Sequence, residues 1–124
     1  MITEDYVSFE TAKLLKEKGF DEKCFQYWHE EDNELVHSQS MHPIQNVSNP
    51  CFFGPAAPTL QMTMKWLRKK YEYVVLFDIS AWGSYDWYYI YRGNRYHYEE
   101  MTFNYNELED AAEAAVKYCL ENLI

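Results

Sequence analysis

The sequence is poor in glycine and cysteine, and each scarcity argues against a class of protein. Its 4 glycines form neither a GxGxxG nor a GxxxxGK(S/T) motif, so we expect no glycine-rich phosphate-binding loop. Its 3 cysteines are odd in number and widely spaced, which is not the pattern of a disulfide framework. No CxxC pair of the kind that holds zinc is present either.

Long apolar runs are missing as well. No stretch reaches the roughly 18 consecutive apolar residues that would indicate a membrane-spanning helix. The first residues lack the basic start and apolar run of a secretory signal. We therefore expect a cytoplasmic protein with reduced thiols and no membrane contact.

Positive charge is scarce, while aromatic residues are abundant. The chain has 11 Lys plus Arg against 20 Asp plus Glu, which gives a net charge of −9. Because affinity for nucleic acid rests largely on basic contacts to phosphate, nucleic-acid binding is disfavoured. Aromatic residues make up 19% of the chain, and they favour pleated, partly buried surfaces, so we expect many of them on strands.

Local signals predict a helix over about residues 8–18. Ser8 is suited to the N-cap, since its hydroxyl can accept a backbone N–H of the first turn. Gly19 can take the left-handed conformation that ends a helix, and Phe20 can then fold back onto Leu15 as in a Schellman motif.

Aromatic segments on both sides of an Asp32–Asn33 turn predict a β-hairpin. A four-residue loop would place Leu35 opposite Glu30, and therefore His29 opposite Val36. On this register His29 and His37 point to opposite faces, because side chains alternate along a strand.

Residues 39–58 are predicted to be an irregular proline-rich loop in which regular structure is broken repeatedly. Such a long loop is uncommon inside a compact domain and is usually functional or mobile. The loop holds all four prolines, which are Pro43, Pro50, Pro55 and Pro58.

Two further helices are predicted. One begins at Leu60, with Thr59 as its N-cap, and ends near Lys70. The other begins with Asn104 as N-cap and Glu107 as the capping-box partner at its third position. The predicted apolar face of the first consists of Leu60, Met64, Leu67 and Tyr71, with Met62 and Trp66 beside it. That of the second consists of Leu108, Ala112, Ala115, Cys119, Leu120 and Leu123.

Three strands are predicted between these helices, the last two joined by a Gly93–Asn94 hairpin turn. The expected fold is therefore α+β, with an antiparallel sheet of about five strands and three helices in the order α-β-β-α-β-β-β-α. No linker divides two cores, so residues 1–124 are predicted to form a single domain.

Three segments, residues 6–21, 57–68 and 105–120, together resemble small uncharacterised proteins of Bacteroides-type gut bacteria, often encoded in prophages or other mobile elements. The resemblance covers the three helices, less than half of the chain. It implies a bacterial cytoplasm and a mobile-element accessory protein, and it transfers no functional residue.

Enzyme-like residue sets are present but incomplete. The histidines lack HxxxH or HExxH spacing, Cys51 shares the proline loop with His42, and acids lie at strand ends. Chance surface residues explain such sets more simply, so we predict no catalytic residue, no metal site and no cofactor. The candidates weighed were His29, His37, His42, His97 and Cys24 for a metal, Cys51 with His42 for a nucleophile, and Asp78, Asp86, Glu99 and Glu100 for acid–base chemistry.

The aromatic strands are the most suggestive feature. If helices cover one face of the sheet, the other still carries aromatic side chains suited to protein contact. We therefore predict a noncatalytic protein-interaction or self-associating module, with a protein partner or a homodimer. Two alternatives stay open: a small enzyme with a pocket under residues 39–58, and an acidic nucleic-acid mimic of a mobile element. The predicted binding residues are Trp87, Tyr89, Tyr91, Tyr96 and Tyr98.

Overall fold

A computed structural model of the chain describes residues 5–37, 45–46, 54–78, 87–92, 95–100 and 107–124. Its strands form two antiparallel sheets, β1–β2 and β3–β4–β5. The predicted α+β class with three α-helices and antiparallel pairing is confirmed. The prediction of one sheet is wrong, because the strands pair within two sheets. The elements are α1 (Phe9–Glu17), β1 (Gln26–His29), β2 (Glu34–His37), α2 (Leu60–Tyr71), β3 (Tyr73–Asp78), β4 (Trp87–Arg92), β5 (Arg95–Glu100), α3 (Leu108–Tyr118) and a π-helical turn (Cys119–Leu123).

The chain divides into two compact units, residues 1–59 and residues 60–124, which we call the first unit and the second unit. The first holds α1 and the β1–β2 sheet, and the second holds the remaining elements. That residues 1–124 form a single domain stays a prediction.

Both predicted ends of α1 are confirmed. The Ser8 hydroxyl accepts the Thr11 N–H at 3.2 Å. Gly19 has φ 89°, and the next N–H, that of Phe20, donates to the Leu15 carbonyl at 2.9 Å. Because Leu15 and Phe20 are fully buried, the helix end joins the core of the first unit.

The predicted hairpin is present, and its register differs from the prediction. His29 lies opposite Glu34 and His37 lies opposite Gln26, so the loop comprises residues 30–33. Asn33 takes φ 55° there, a left-handed conformation that Asn tolerates better than most residues. The four-residue loop starts one residue earlier than expected, so each residue of β1 lies opposite a β2 residue two positions earlier than predicted: His29 lies opposite Glu34 instead of Val36. The two histidines are therefore still on opposite faces of the sheet.

The end of the proline-rich segment is extended, and it is hydrogen-bonded to β1. The Trp28 N–H donates to the Pro55 carbonyl at 3.0 Å, and the Ala57 N–H donates to the Gln26 carbonyl at 2.9 Å. Further along, the Val7 N–H donates to the Pro58 carbonyl at 3.0 Å. Residues 54–58 form no helix or strand of their own and pair with β1 through an isolated bridge between Tyr27 and Ala56. The irregular loop over residues 39–58 stays a prediction.

Asn46 ties the same segment to the end of α1. Its amide donates to the Phe20 carbonyl at 2.8 Å, and its side-chain oxygen accepts the Ala56 N–H at 3.0 Å. Gly54 passes so close to β1 that a Cβ there would lie 1.6 Å from the Trp28 carbonyl oxygen. Only glycine fits this approach.

Helix α2 buries a face slightly rotated from the predicted one. Thr63 and Trp66 join Leu60 and Leu67 in the core, whereas Met64 is only half-buried. The predicted face was wrong in this respect, because Met64 borders a groove instead of the core. The helix ends at Tyr71. The next residue, Glu72, has φ 66°, and its N–H donates to the Arg68 carbonyl at 3.1 Å.

Helix α3 begins later than predicted. Glu107 is its N-cap, with extended φ −123° and ψ 145° and no side-chain capping bond. The predicted role of Glu107 at the third helical position is therefore wrong, because its backbone is not helical. The predicted cap, Asn104, lies outside the described residues. The buried face of α3 consists of Ala111, Ala112, Ala115 and Val116, continued by Cys119 and Leu120.

Candidate functional site

The three-stranded sheet of the second unit has one buried face. Ile90 is fully buried, and Val75 lies directly opposite it on β3. Tyr73, two residues from Val75, is also buried, and its hydroxyl donates to the Leu123 carbonyl at 3.2 Å. This side of the sheet therefore faces the residues that follow α3.

The other face of β3 and β4 is open, and we call it the open face. It carries Val74 and Leu76 on β3, with Tyr91 opposite Val74 on β4. Leu76 is 49% exposed, and Val74 and Tyr91 are half-buried. A sheet with one covered and one uncovered face is common when strands are antiparallel.

Three of the predicted binding residues occupy positions on this open face. Tyr91 lies opposite Val74, Tyr89 lies opposite Leu76, and Trp87 lies opposite Asp78. Directly opposed residues share one face of a sheet, so positions 87, 89 and 91 continue the row that Leu76 begins. Tyr91 is the one residue of the five whose side chain is among those described, and it is half-buried.

A bulge separates the other two predicted residues, Tyr96 and Tyr98. The β4–β5 register shifts between Ile90 and Tyr91, so Tyr96 lies opposite Tyr91 and Tyr98 lies opposite Ile90. An extra residue in one strand reverses the alternation beyond it. Position 96 therefore belongs to the open face and position 98 to the face of the buried Ile90. The binding role of these five residues stays a prediction.

A groove of about 230 Å³ lies between α2 and β3. Its helical wall follows the spacing i, i+3, i+4, i+7, which is one face of a helix. Its strand wall includes both Val74 and Val75, which are consecutive and so point to opposite faces. The groove therefore runs along the edge of β3. It is lined by Gln61, Met64, Lys65, Arg68, Val74, Val75 and Phe77.

The groove has apolar walls and a basic rim. Met64, Val75 and Phe77 are half-buried, whereas Lys65 and Arg68 are exposed. Neither basic side chain has an ion-pair partner among the residues that the structure describes. The sequence analysis did not predict this groove, although four basic residues near the end of α2 were a signal: Lys65, Arg68, Lys69 and Lys70. The sequence does not show that β3 is the edge strand of its sheet.

The two described cysteines are buried thiols. Burial raises the pKa of Cys24 to about 12, with a smaller contribution from the charge of Glu22. Burial likewise raises the pKa of Cys119 to about 12. Because the thiolate is the nucleophile and metal ligand, both thiols are unreactive at neutral pH, as the sequence predicted for Cys119.

The histidine and carboxylate candidates are only partly described. The His29 Nδ1 atom lies 3.4 Å from an Asp32 carboxylate oxygen, and the His37 Nδ1 atom lies 2.9 Å from the Gln26 side-chain nitrogen. Within the described part of the chain, no three His, Cys, Asp or Glu side chains come together as a metal site would require. The residues His42, Cys51 and Asp86 lie outside the described residues, as do the side chains of Asp78, His97, Glu99 and Glu100.

Comparison of the chain with protein-family models, with curated proteins and with solved structures finds no match. The resemblance to proteins of gut bacteria therefore stays a prediction. Among the described residues, no helix is long and apolar enough to cross a membrane.

Proposed function

We propose that this chain is a noncatalytic protein-interaction module that self-associates through the open face. The observation that carries the proposal is the 49% exposure of Leu76 on a face that it shares with Val74 and Tyr91. A single exposed leucine is ordinary. A cluster of neutral residues on two paired strands, as Val74, Leu76 and Tyr91 form here, is the kind of surface that marks an interaction site.

A second copy of the chain is the partner that this chemistry favours. The side chains of Val74, Leu76 and Tyr91 carry no charge, whereas the register also places the acidic positions 78 and 99 on this face. Two copies therefore avoid opposing like charges only where the neutral residues meet each other. The net charge of −9 repels another copy at long range, and at 0.1 M salt the repulsion between charges more than about 10 Å apart is largely screened. Self-association is therefore expected to strengthen as salt is raised, whereas docking of a basic partner would weaken.

Sedimentation velocity tests the proposal. Wild type is expected to dimerise with a Kd of roughly 0.1 mM or tighter, which corresponds to about −5.5 kcal/mol. Leu76→Lys places a charge in the contact and should leave a monomer. It also makes the net charge less negative, so general repulsion cannot explain the loss.

Phe25→Lys is the matched control, because Phe25 is 51% exposed and lies in the first unit. This variant changes the charge equally and should dimerise like wild type. A wild-type monomer over the whole concentration range would refute self-association, and equal loss in both variants would refute the assignment to the open face.

A further inference from the structure

We propose that the groove between α2 and β3 binds an extended acidic peptide, which adds to the edge of β3 as another strand. The lining of this groove shares only Val74 with the open face, and the proposal does not rest on self-association. Strand addition gives affinity through backbone hydrogen bonds, and neighbouring side chains give selectivity.

The edge of β3 is suited to receive a strand. β3 ends the sheet order β3–β4–β5, so its far side has no strand partner within the described part of the chain. Proteins usually protect such edges with proline, inward-pointing charge or a bulge. Residues 74–77 contain neither proline nor a charged residue, and the β3–β4 register runs without a shift.

The charge of the groove selects for acidic ligands. Lys65 and Arg68 lie on the helical wall, both are exposed, and neither pairs with a described acidic residue. Guanidinium and ammonium groups favour carboxylates as hydrogen-bond acceptors. In a chain of net charge −9, a local basic rim of this kind attracts carboxylates that the rest of the molecule repels.

The two walls have matching lengths. From Gln61 to Arg68 the helix advances about 10 Å at 1.5 Å per residue, and from Val74 to Phe77 the strand advances about 10 Å at 3.3 Å per residue. The groove therefore accommodates about four residues of extended peptide. Side chains two apart on that peptide are about 6.6 Å apart on the same side, so alternate acids can reach both Lys65 and Arg68.

Because side chains alternate along a strand, the geometry also determines which residues the peptide carries between its acids. The remaining side chains of an added strand point to the opposite face, beside Val74 and Leu76, where apolar groups fit. The preferred sequence is therefore alternately acidic and apolar. A suitable probe is an end-blocked, fluorescein-labelled pentapeptide of alternating Glu and Val, measured by fluorescence anisotropy.

The probe should bind wild type and lose affinity when the rim is neutralised. If each contact contributes about 0.7 kcal/mol, Lys65→Ala together with Arg68→Ala weakens binding about tenfold. Lys69→Ala is the control, because Lys69 is an exposed cation of the same helix outside the lining. That variant should bind within about twofold of wild type, since the lost charge contacts no ligand. Equal loss in both proteins, or no binding to wild type, overturns the proposal.

A second peptide tests strand addition itself. N-methylation of alternate amides removes the donors that would pair with β3 and leaves the carboxylates unchanged, so binding should fall at least about tenfold if two hydrogen bonds of about 1 kcal/mol each are lost. Unchanged binding by the methylated peptide, or equally tight binding of N-acetylglutamate, would replace strand addition by simple carboxylate capture. Because Leu76→Lys tests dimerisation and leaves Lys65 and Arg68 in place, failure of one proposal is distinguishable from failure of the other.

Discussion

The two units treat the edges of their sheets differently. In the first unit, β1 is bonded along its outer side by residues 54–58, and Pro55 and Pro58 contribute carbonyls that accept from Trp28 and Val7. In the second unit, β3 lies beside a groove and carries no such neighbour among the described residues.

The difference shows how a proline-containing segment occupies a strand edge. A proline carbonyl can accept a hydrogen bond from the strand beside it, although proline has no N–H to donate in return. Pro55 and Pro58 are both fully buried, so in the first unit the segment completes the core, occupies the edge of β1 and continues the pairing to Val7 through the Pro58 carbonyl. β3 has no proline, and its edge keeps donors as well as acceptors.

A substitution at Gly54 can break the pairing between residues 54–58 and β1, and among the predictions it should have the largest effect on stability. In Gly54→Ala the new methyl group would lie 1.6 Å from the Trp28 carbonyl oxygen. Backbone atoms cannot yield as side chains do, so the segment must separate from β1. We expect a loss of about 4 kcal/mol in the free energy of unfolding, measured by urea denaturation. A loss under about 1 kcal/mol would show that the segment does not pack this tightly.

The same comparison shows which features of the fold the sequence could predict: those set by residues close together in the chain. The ends of α1 were predictable because Ser8 and Gly19 act on backbone groups within a few residues. The pairing of Pro55 with Trp28 was not, because it joins residues far apart in the chain and proline signals only that a helix or inner strand is disfavoured. The groove beside β3 depends on which strand lies at an edge, and local periodicity contains no such information.

The two faces of the second unit's sheet should differ clearly on truncation. Ile90→Ala removes a fully buried side chain and should cost about 3 kcal/mol through lost burial and a residual cavity. Leu76→Ala removes a side chain that is 49% exposed and should cost under about 1 kcal/mol at concentrations where the protein is monomeric. Chemical denaturation of both variants measures the difference. Equal costs would mean that the open face is covered in solution.

Among the described residues each unit contains one buried thiol, and the loss of stability at alkaline pH compares the two. The folded pKa is about 12 for Cys24 and for Cys119, against an ordinary value of 9.0. Above pH 9 the unfolded thiols ionise while the folded thiols stay protonated, so the stabilising contribution is complete below that pH and is lost as pH rises toward 12. At pH 10 each thiol should lower stability by about 1.4 kcal/mol.

Cys24→Ala and Cys119→Ala isolate these contributions. Each variant should unfold with a shallower loss of stability between pH 8 and pH 10 than wild type, by about 1.4 kcal/mol. Stability curves at several pH values provide the measurement. If one variant keeps the full slope, the thiol it replaced is accessible to water, and the core of that unit is less dry than that of the other.

The smallest effect is expected where each unit ends a helix with a left-handed residue. In the first unit this residue is Gly19, with φ 89°, and in the second it is Glu72, with φ 66°. A side chain costs about 1 kcal/mol in this conformation, and glycine avoids the cost. Glu72→Gly should therefore stabilise the protein by up to about 1 kcal/mol, whereas Gly19→Ala should destabilise it by a similar amount.

Glu72→Asn distinguishes backbone strain from the loss of a carboxylate. Asparagine tolerates the left-handed region better than glutamate does, so it should recover part of the gain while keeping a polar side chain. Glu72→Gln keeps the shape and removes only the charge, so it should leave thermal stability nearly unchanged. If Glu72→Gln stabilised the protein as much as Glu72→Gly, removal of the charge and not relief of backbone strain would explain the effect, and the left-handed backbone at Glu72 would carry no cost.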